Sequence, residues 1–194
     1  MTDPIQSLRD AIIADPENAP FTAVGWRPVF AASPESRILL VGQAPGRRAQ
    51  ESGIPWNDAS GDALVRWLGV DRETFHDPVA FAIVPMDFYF PGKSGSGDFP
   101  PRRVFAAAWH PPLLEQLTEL RLTLLIGAHA QRAYLPDRRR TLTETVRYWR
   151  DYGPAVFPLV HPSPRNTAWQ QRNPWFEAET VPDLRMAVAA ALAD

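Results

Sequence analysis

An unbroken run of four apolar residues, Ile38 to Val41, narrows the possible folds of this chain more than any other feature. Such runs are typical of strands covered on both faces, as in parallel sheets. The run stops at Gly42, where the segment GQAPG begins. Its two glycines and its proline permit a tight turn whose backbone amides point at a ligand. Ligands of open α/β sheets bind at such strand ends, so we expect a binding site here.

Three further apolar runs follow, at Val79 to Pro85, Leu122 to Ile126 and Ala155 to Val160. Apolar residues at helical spacing lie between and around the four runs. The predicted helices span 5–12, 63–68, 103–120 with a kink or break at Pro111 and Pro112, 128–135, 142–152 and 175–193. Strands that alternate with helices predict an α/β fold with a mostly parallel sheet and helices on both faces.

Composition excludes several classes of protein. The chain has 194 residues, 45% of them hydrophobic, which suits one domain over residues 1–194. It contains no cysteine, so disulfides, thiolate-bound metals and iron-sulfur clusters are excluded. The first residues lack a signal sequence and no run approaches the roughly 20 apolar residues of a membrane span. We therefore expect a cytoplasmic protein without a membrane partner. With a net charge of −2 and Lys93 as the only lysine, a polyanion would need a local patch.

Four segments in chain order resemble motifs of the uracil-DNA glycosylase superfamily. They are GQAPG at 42–46, GIPWNDASGDAL at 53–64, LTLLIGAHAQRAYL at 122–135 and HPSPRN at 161–166. The first motif is similar to the GEAPG or GLAPG of bacterial and archaeal branches, here without iron-sulfur cysteines. The resemblance implies a three-layer α/β/α fold with a central four-stranded parallel sheet. It also implies a monomer without metal or cofactor, which flips a base out of DNA bound across the carboxyl ends of the strands.

The chemistry of such an enzyme requires a proton donor. Breaking an N-glycosidic bond makes the sugar cationic and the departing base anionic, so the site must stabilise opposite charges. By the resemblance, His161 is the donor to a carbonyl oxygen of the leaving pyrimidine. A purely structural histidine is the alternative. His76, His110 and His129 lack a comparable context, and we expect them to be ordinary surface or helix residues.

The first motif of this chain, GQAPG, lacks the carboxylate that relatives carry there. Gln43 and Ala44 stand where relatives carry a carboxylate that orients the attacking water. A branch with GLAPG-type first motifs carries its aspartate in a later segment, and Asp58 matches that position. We therefore predict Asp58 as the catalytic carboxylate. The alternative is an aspartate that serves only the loop or caps a helix, although Asp62 is the expected cap. Asp87, after the second strand, is the reserve candidate acid.

The pocket for the base is expected to combine a stacking surface with backbone groups. Trp56 occupies the position of the stacking Phe of relatives, although a core tryptophan is the alternative. The backbone and side chains of 42–46, with Pro45 and Gly46 at the end of the turn, are predicted to bind the substrate together with Asn57. No Asn follows the second strand, where uracil-selective relatives often place one. We therefore expect uracil or another deaminated base as the target.

Contacts with DNA are expected beside His161 and in a glycine-rich segment. Ser163, Arg165 and Asn166 occupy the loop that enters the minor groove in the family, and Arg165 stands where relatives insert an apolar wedge. Lys93, within 92–97, is a candidate phosphate contact.

These predictions define a DNA glycosylase of base-excision repair. A nucleic-acid-binding protein of the same fold without catalysis is one alternative. A hydrolase of small nucleosides is another.

Overall fold

A computed structural model describes residues 3–95 and 97–193. Four strands form one parallel sheet in the order β2-β1-β5-β6, and two short strands form an antiparallel hairpin. The strands are β1 (Ile38–Val41), β2 (Phe81–Ile83), β3 (Lys93–Ser94), β4 (Gly97–Asp98), β5 (Leu122–Ile126) and β6 (Val156–Leu159). The register pairs Leu40 with Ile83 on one side and with Leu124 on the other, and it pairs Leu124 with Phe157. The prediction of a four-stranded parallel sheet is confirmed.

Ten α-helices surround the sheet in the described part of the chain. They are α1 (Pro4–Ala14), α2 (Ala19–Thr22), α3 (Arg47–Ser52), α4 (Ala59–Leu68), α5 (Arg72–His76), α6 (Phe105–Leu114), α7 (Gly127–Tyr134), α8 (Leu142–Arg147), α9 (Thr167–Arg172) and α10 (Val181–Leu192). Short 3₁₀ turns lie at Pro16–Asn18, Trp149–Tyr152 and Pro164–Asn166, and a π-turn at Phe176–Thr180 precedes α10.

The apolar run of β1 is buried because each face of the sheet carries its own core. Ile38 and Leu40 point into one cluster, which is completed by residues of α4, α8 and α10. Leu39 and Val41 point into the other, which includes residues of α1, α6 and α7. All four side chains are at most 3% exposed. Burying such side chains stabilises the fold by about 1.5–3 kcal/mol each, so this strand anchors all three layers.

Two helix predictions need correction. The predicted helix over 103–120 is the shorter α6, which contains Pro111 and Pro112 in its last turn and ends at Leu114. A proline removes one backbone donor, yet the amide of Glu115 still closes the last turn on the carbonyl of Pro111. The helix predicted over 142–152 ends at Arg147, and the 3₁₀ turn Trp149–Tyr152 follows it.

The long loop after β2 contains the hairpin of β3 and β4. Its hairpin pairs Lys93 with Asp98 and Ser94 with Gly97. Ser96, within the predicted glycine-rich segment 92–97, lies outside the described residues. Over 3–95 and 97–193, none of the helices is both long and apolar enough to cross a bilayer.

Candidate active site

A cavity of about 520 Å³ opens at the carboxyl ends of β1 and β6. Most of the predicted site lines it. The walls are Val29, Gly42, Gln43, Ala44, Pro45, Gly46, Ala49, Pro55, Trp56, Asp58, Ser60, Ile83, Pro85, Pro91, Gly97, Asp98, His161, Ser163, Arg165 and Asn166. Two predicted residues, Asn57 and Lys93, are not among these lining residues. A space of this size is in the range of small-molecule sites.

The GQAPG turn is held against the end of β2 by its own backbone. The carbonyl of Gly42 accepts from the amide of Met86 at 2.9 Å, and the carbonyl of Gln43 accepts from the amide of Asp87 at 3.3 Å. Gly46 then begins α3 without a side-chain cap, so the first amides of this short helix are left without one. With its carbonyls engaged on the β2 side, the turn lines the cavity with all five of its residues.

Trp56 forms one wall of the cavity in an unusual backbone conformation. Its φ of 56° is the only positive φ of a non-glycine residue in the described part of the chain. A Cβ on Gly42 would lie 3.0 Å from the indole, and a Cβ on Gly61 would lie 1.8 Å from the carbonyl oxygen of Trp56. Glycine is therefore required at 61 and favoured at 42, because the tryptophan occupies the space that side chains would fill. This wall can therefore pack only because Gly42 and Gly61, each in a predicted motif, lack side chains.

The two carboxylate oxygens of Asp58 lie in different surroundings. Oδ1 accepts a hydrogen bond from the amide of Gly61 at 2.9 Å and so caps α4. Oδ2 faces the turn, 3.7 Å from where a Cβ on Gly46 would lie. The expectation that Asp62 caps this helix is wrong. Asp62 lies in the first turn, where its carboxylate forms an exposed ion pair with Arg72.

His161 leaves the end of β6 and meets the opposite wall. Its imidazole lies 5.4 Å from the Trp56 ring between centroids, with the planes inclined by 32°. The side-chain amide of Asn166 donates to the carbonyl of His161 at 2.7 Å and fixes the loop. Burial lowers the pKa of His161, while the negative charge on Asp58 opposes that shift. The ring is therefore neutral at pH 7, and it lies within electrostatic reach of the carboxylate.

The full span from the approach to β1 into α10 matches a known family. A family model described as the uracil DNA glycosylase superfamily covers residues 30–185. The chain belongs to the uracil DNA glycosylase superfamily. The matched span contains both predicted catalytic residues, Asp58 and His161, and all four strands of the parallel sheet.

In this superfamily member the predicted DNA loop is locally well defined. Ser163 begins a 3₁₀ turn, and its hydroxyl accepts from the amide of Arg165 at 3.3 Å. The guanidinium of Arg165 lies against the β3-β4 hairpin, where a Cβ on Gly97 would be 2.8 Å from Nη1. The loop after β6 and the hairpin therefore meet across the cavity mouth. Lys93 is exposed on the same hairpin and does not line the cavity.

The reserve acid of the glycosylase prediction, Asp87, has a structural role. It is 1% exposed, does not line the cavity, and accepts from Nε and Nη2 of Arg102 at 2.7 and 2.8 Å. His110 is buried as well, with Nε2 2.9 Å from the carbonyl of Pro85 and Nδ1 2.6 Å from the hydroxyl of Tyr134. His110 is thus a helix residue, one of the two predicted alternatives, and its side chain is buried in the core.

Several lining residues were not predicted from the sequence. Asp98 of the hairpin and Pro91 before it close one side of the main cavity, next to Gly97 of the predicted glycine-rich segment. A second cavity of about 330 Å³ lies on the other side of Gln43 and His161, where the wall includes Trp169. The length and glycine content of the loop after β2 were the available signals for the hairpin. No comparable pattern marks the second cavity.

In the part of the chain that the structure describes, no three His, Asp or Glu side chains gather as metal ligands.

Proposed function

We propose that the protein hydrolyses the bond joining uracil, or a related deaminated base, to deoxyribose in DNA. Membership in the uracil DNA glycosylase superfamily supports glycosylase chemistry on DNA. The observation that carries the finer assignment is the convergence of Asp58 and His161 on one cavity beside Trp56. The two residues are remote in sequence and lie on segments that follow different strands, β1 and β6. A single-domain, monomeric and cytoplasmic protein is part of the same proposal.

The proposed reaction separates charge within the cavity. The bond between C1′ and the base nitrogen breaks, and its electron pair leaves with the base as an anion. A water molecule adds to the cationic C1′, losing a proton, and the base takes up a proton. The products are the free base and an abasic site. Charge stabilisation therefore has to be supplied on both sides of the breaking bond.

His161 stabilises the departing base by hydrogen bonding. Since burial keeps its ring neutral at pH 7, the N–H of a neutral imidazole donates to a carbonyl oxygen of the base. This bond strengthens as negative charge grows on that oxygen, which favours the transition state over the bound substrate. In this proposal the flipped base stacks on Trp56, whose indole lies 5.4 Å from the imidazole of His161 between ring centroids.

Asp58 faces the sugar with the oxygen that the helix cap leaves available. The carboxylate stabilises the positive charge at C1′ and orients the attacking water. Gln43 contributes an amide in place of the acid of related first motifs, and it binds the base or the water. Ala44, Pro45 and the glycines of the turn present the backbone, and Asn57 is assigned to the rim of the base pocket.

DNA is assigned to the edge where the loop after β6 meets the hairpin. Ser163 and Arg165 contact phosphate or the space left by the flipped base, and Asn166 supports the loop. Lys93 supplies positive charge from the hairpin. Because Arg165 contacts the hairpin backbone region at Gly97, DNA entry shifts that contact.

The test is a cleavage assay on an oligonucleotide with a single uracil. Strand scission by alkali reports abasic sites, and native protein is compared with Asp58→Asn and His161→Ala. Cleavage by native protein and its loss in both variants are expected. Oligonucleotides with hypoxanthine or xanthine in place of uracil define the base preference.

A second function is favoured by one observation, the use of Asp58 Oδ1 as a helix cap. If the carboxylate serves only the fold, the protein binds the flipped base without cutting. Native protein would then leave the uracil oligonucleotide intact but retard it in a gel at low salt.

A further inference from the structure

His76 connects a neighbouring helix to the loop that carries Trp56. It is the last residue of α5, and its Nε2 lies 3.0 Å from the carbonyl oxygen of Pro55. Its Nδ1 lies 2.9 Å from the carbonyl oxygen of Arg72, one turn back in the same helix. A carbonyl oxygen only accepts, so each contact is a hydrogen bond when the ring nitrogen that faces it carries a hydrogen. The imidazolium makes both bonds, and the neutral ring makes the bond to Pro55 in its Nε2–H tautomer. The imidazole is thus a bridge from α5 to the peptide unit that precedes Trp56.

The backbone of Trp56 needs such support. A bulky residue with a φ of 56° is disfavoured by its own Cβ and persists only where the surroundings fix it. Packing against Gly42 and Gly61 supplies the space for the indole and the carbonyl, but neither glycine supplies a hydrogen bond to this segment. Among described residues, the His76 contact is the only side-chain hydrogen bond to the backbone of 55–57.

The ring itself is held firmly enough to act as a bridge. Phe75 meets it edge-on at 5.0 Å between centroids, and Phe75 is fully buried in the core. The helix is capped at its start by Asp71, whose carboxylate accepts from the amide of Thr74 at 2.7 Å. His76 therefore links Pro55 to α5, a helix that packs on β2.

We propose that His76 is a positioning residue that holds the stacking surface of Trp56 in place for the flipped base. The nature of the ligand rests on the proposed function, whereas the restraint on Trp56 does not. Loss of the bridge releases the backbone of Trp56 from its left-handed conformation and misaligns the indole with the donor of His161. The effect falls on recognition of the base and leaves general DNA affinity unchanged.

The first experiment measures base discrimination without catalysis. Native protein and variants bind oligonucleotides with one 2′-fluoro-2′-deoxyuridine, which resists cleavage, or with thymidine in its place, and anisotropy gives both affinities. His76→Phe keeps a ring of similar size without the donor. It is expected to lower the preference for the uracil oligonucleotide about fivefold, the effect of one lost hydrogen bond. His76→Gln, which retains a donor, is expected to recover part of that loss.

Two further variants separate positioning from helix stability. Asp71→Ala weakens the same helix at its other end without touching Pro55, so it is expected to retain the native preference. In a Trp56→Ala background, His76→Phe is expected to have no further effect, because the residue acts through the tryptophan. An equal loss in Asp71→Ala, or an undiminished effect without Trp56, overturns the proposal.

The second experiment needs no nucleic acid. Hydrogen exchange followed by mass spectrometry reports the amides of Trp56 and Asn57 within a peptide from this loop. Faster exchange there in His76→Phe but not in Asp71→Ala is expected, and unchanged exchange in His76→Phe refutes the restraint. If native protein shows no preference for uracil, the proposed function fails, and this exchange measurement still decides the role of His76.

Discussion

Replacing Asp58 by asparagine separates the helix cap of this side chain from its proposed catalytic role. Asparagine caps helices about as well as aspartate, so its oxygen continues to accept from the amide of Gly61. The charge that faces the cavity is lost. We expect the uracil-cleavage rate to fall by about 100- to 10,000-fold, the usual contribution of a positioned acid or base. The melting temperature should stay within about 1 °C of the native value, since the cap is worth only about 1 kcal/mol in total.

Asp58→Ala provides the matched comparison. It removes both the charge and the cap, so cleavage should fall as in Asp58→Asn. Losing the cap costs about 1 kcal/mol, which lowers the melting temperature by about 2–4 °C for a chain of this size. Single-turnover cleavage and calorimetry measure the two quantities on the same samples. Native cleavage by Asp58→Asn would refute the catalytic assignment.

An NMR titration of His161 checks the electrostatic part of the same argument. The Asp58 carboxylate raises the pKa of His161 against the effect of burial. Removing its charge in Asp58→Asn should therefore lower the pKa of His161 further. An unchanged titration would mean that the two groups do not share an environment.

Further predictions concern recognition and stability. Trp56→Ala should weaken binding of the uracil oligonucleotide by about 10- to 100-fold in anisotropy measurements, since stacking on an aromatic is worth about 1–3 kcal/mol per base. Gly61→Ala should destabilise the protein by about 3 kcal/mol or displace the loop, because the new methyl would overlap the carbonyl of Trp56, and urea unfolding measures the change. Asp87→Ala should cost about 3–5 kcal/mol in the same assay, because it leaves the charge of Arg102 without its buried partner. Burial lowers the pKa of His110, so the folded state binds a proton less readily than the unfolded state. The contribution of His110 to the free energy of unfolding should be fully present at pH values above about 6.5, the ordinary pKa of histidine. It should be lost as the pH falls from there towards the lowered pKa of the folded state. His110→Gln should show a smaller fall over that range.

The sequence predicted the sheet because its strands are marked by composition alone. Four apolar runs were identified, and all four are strands, although β2 is limited to Phe81–Ile83 within the predicted Val79 to Pro85. The ends of helices were harder to place, since they depend on local hydrogen bonds. Asp58 and Asp62 are both plausible caps before an apolar run, and only the geometry shows that Asp58 is the one that reaches Gly61.

Other parts of the site had no local signal. The left-handed backbone of Trp56 fits where Gly42 and Gly61, nineteen residues apart, leave room for the indole and the carbonyl. The burial of Asp87 depends on Arg102, fifteen residues later, and its pairing could not be told from a catalytic carboxylate by sequence alone. The bridge from His76 to Pro55 spans 21 residues and follows no periodic pattern. Tertiary contacts of this kind are invisible to motif and periodicity arguments.

The order of the strands also fixes the distance between the turn after β1 and the loop after β6. β5 separates β1 from β6, so the turn after β1 and the loop after β6 begin about 10 Å apart, two strand spacings of about 4.8 Å. Gly127, which follows β5, lines the second cavity and not the main one. The backbone distance between the turn after β1 and the loop after β6 is thus set by the strand order, and side-chain substitutions do not change it. If the proposed function holds, attempts to change the base preference should vary the turn after β1 and the loop after β6, and should leave β5 unchanged.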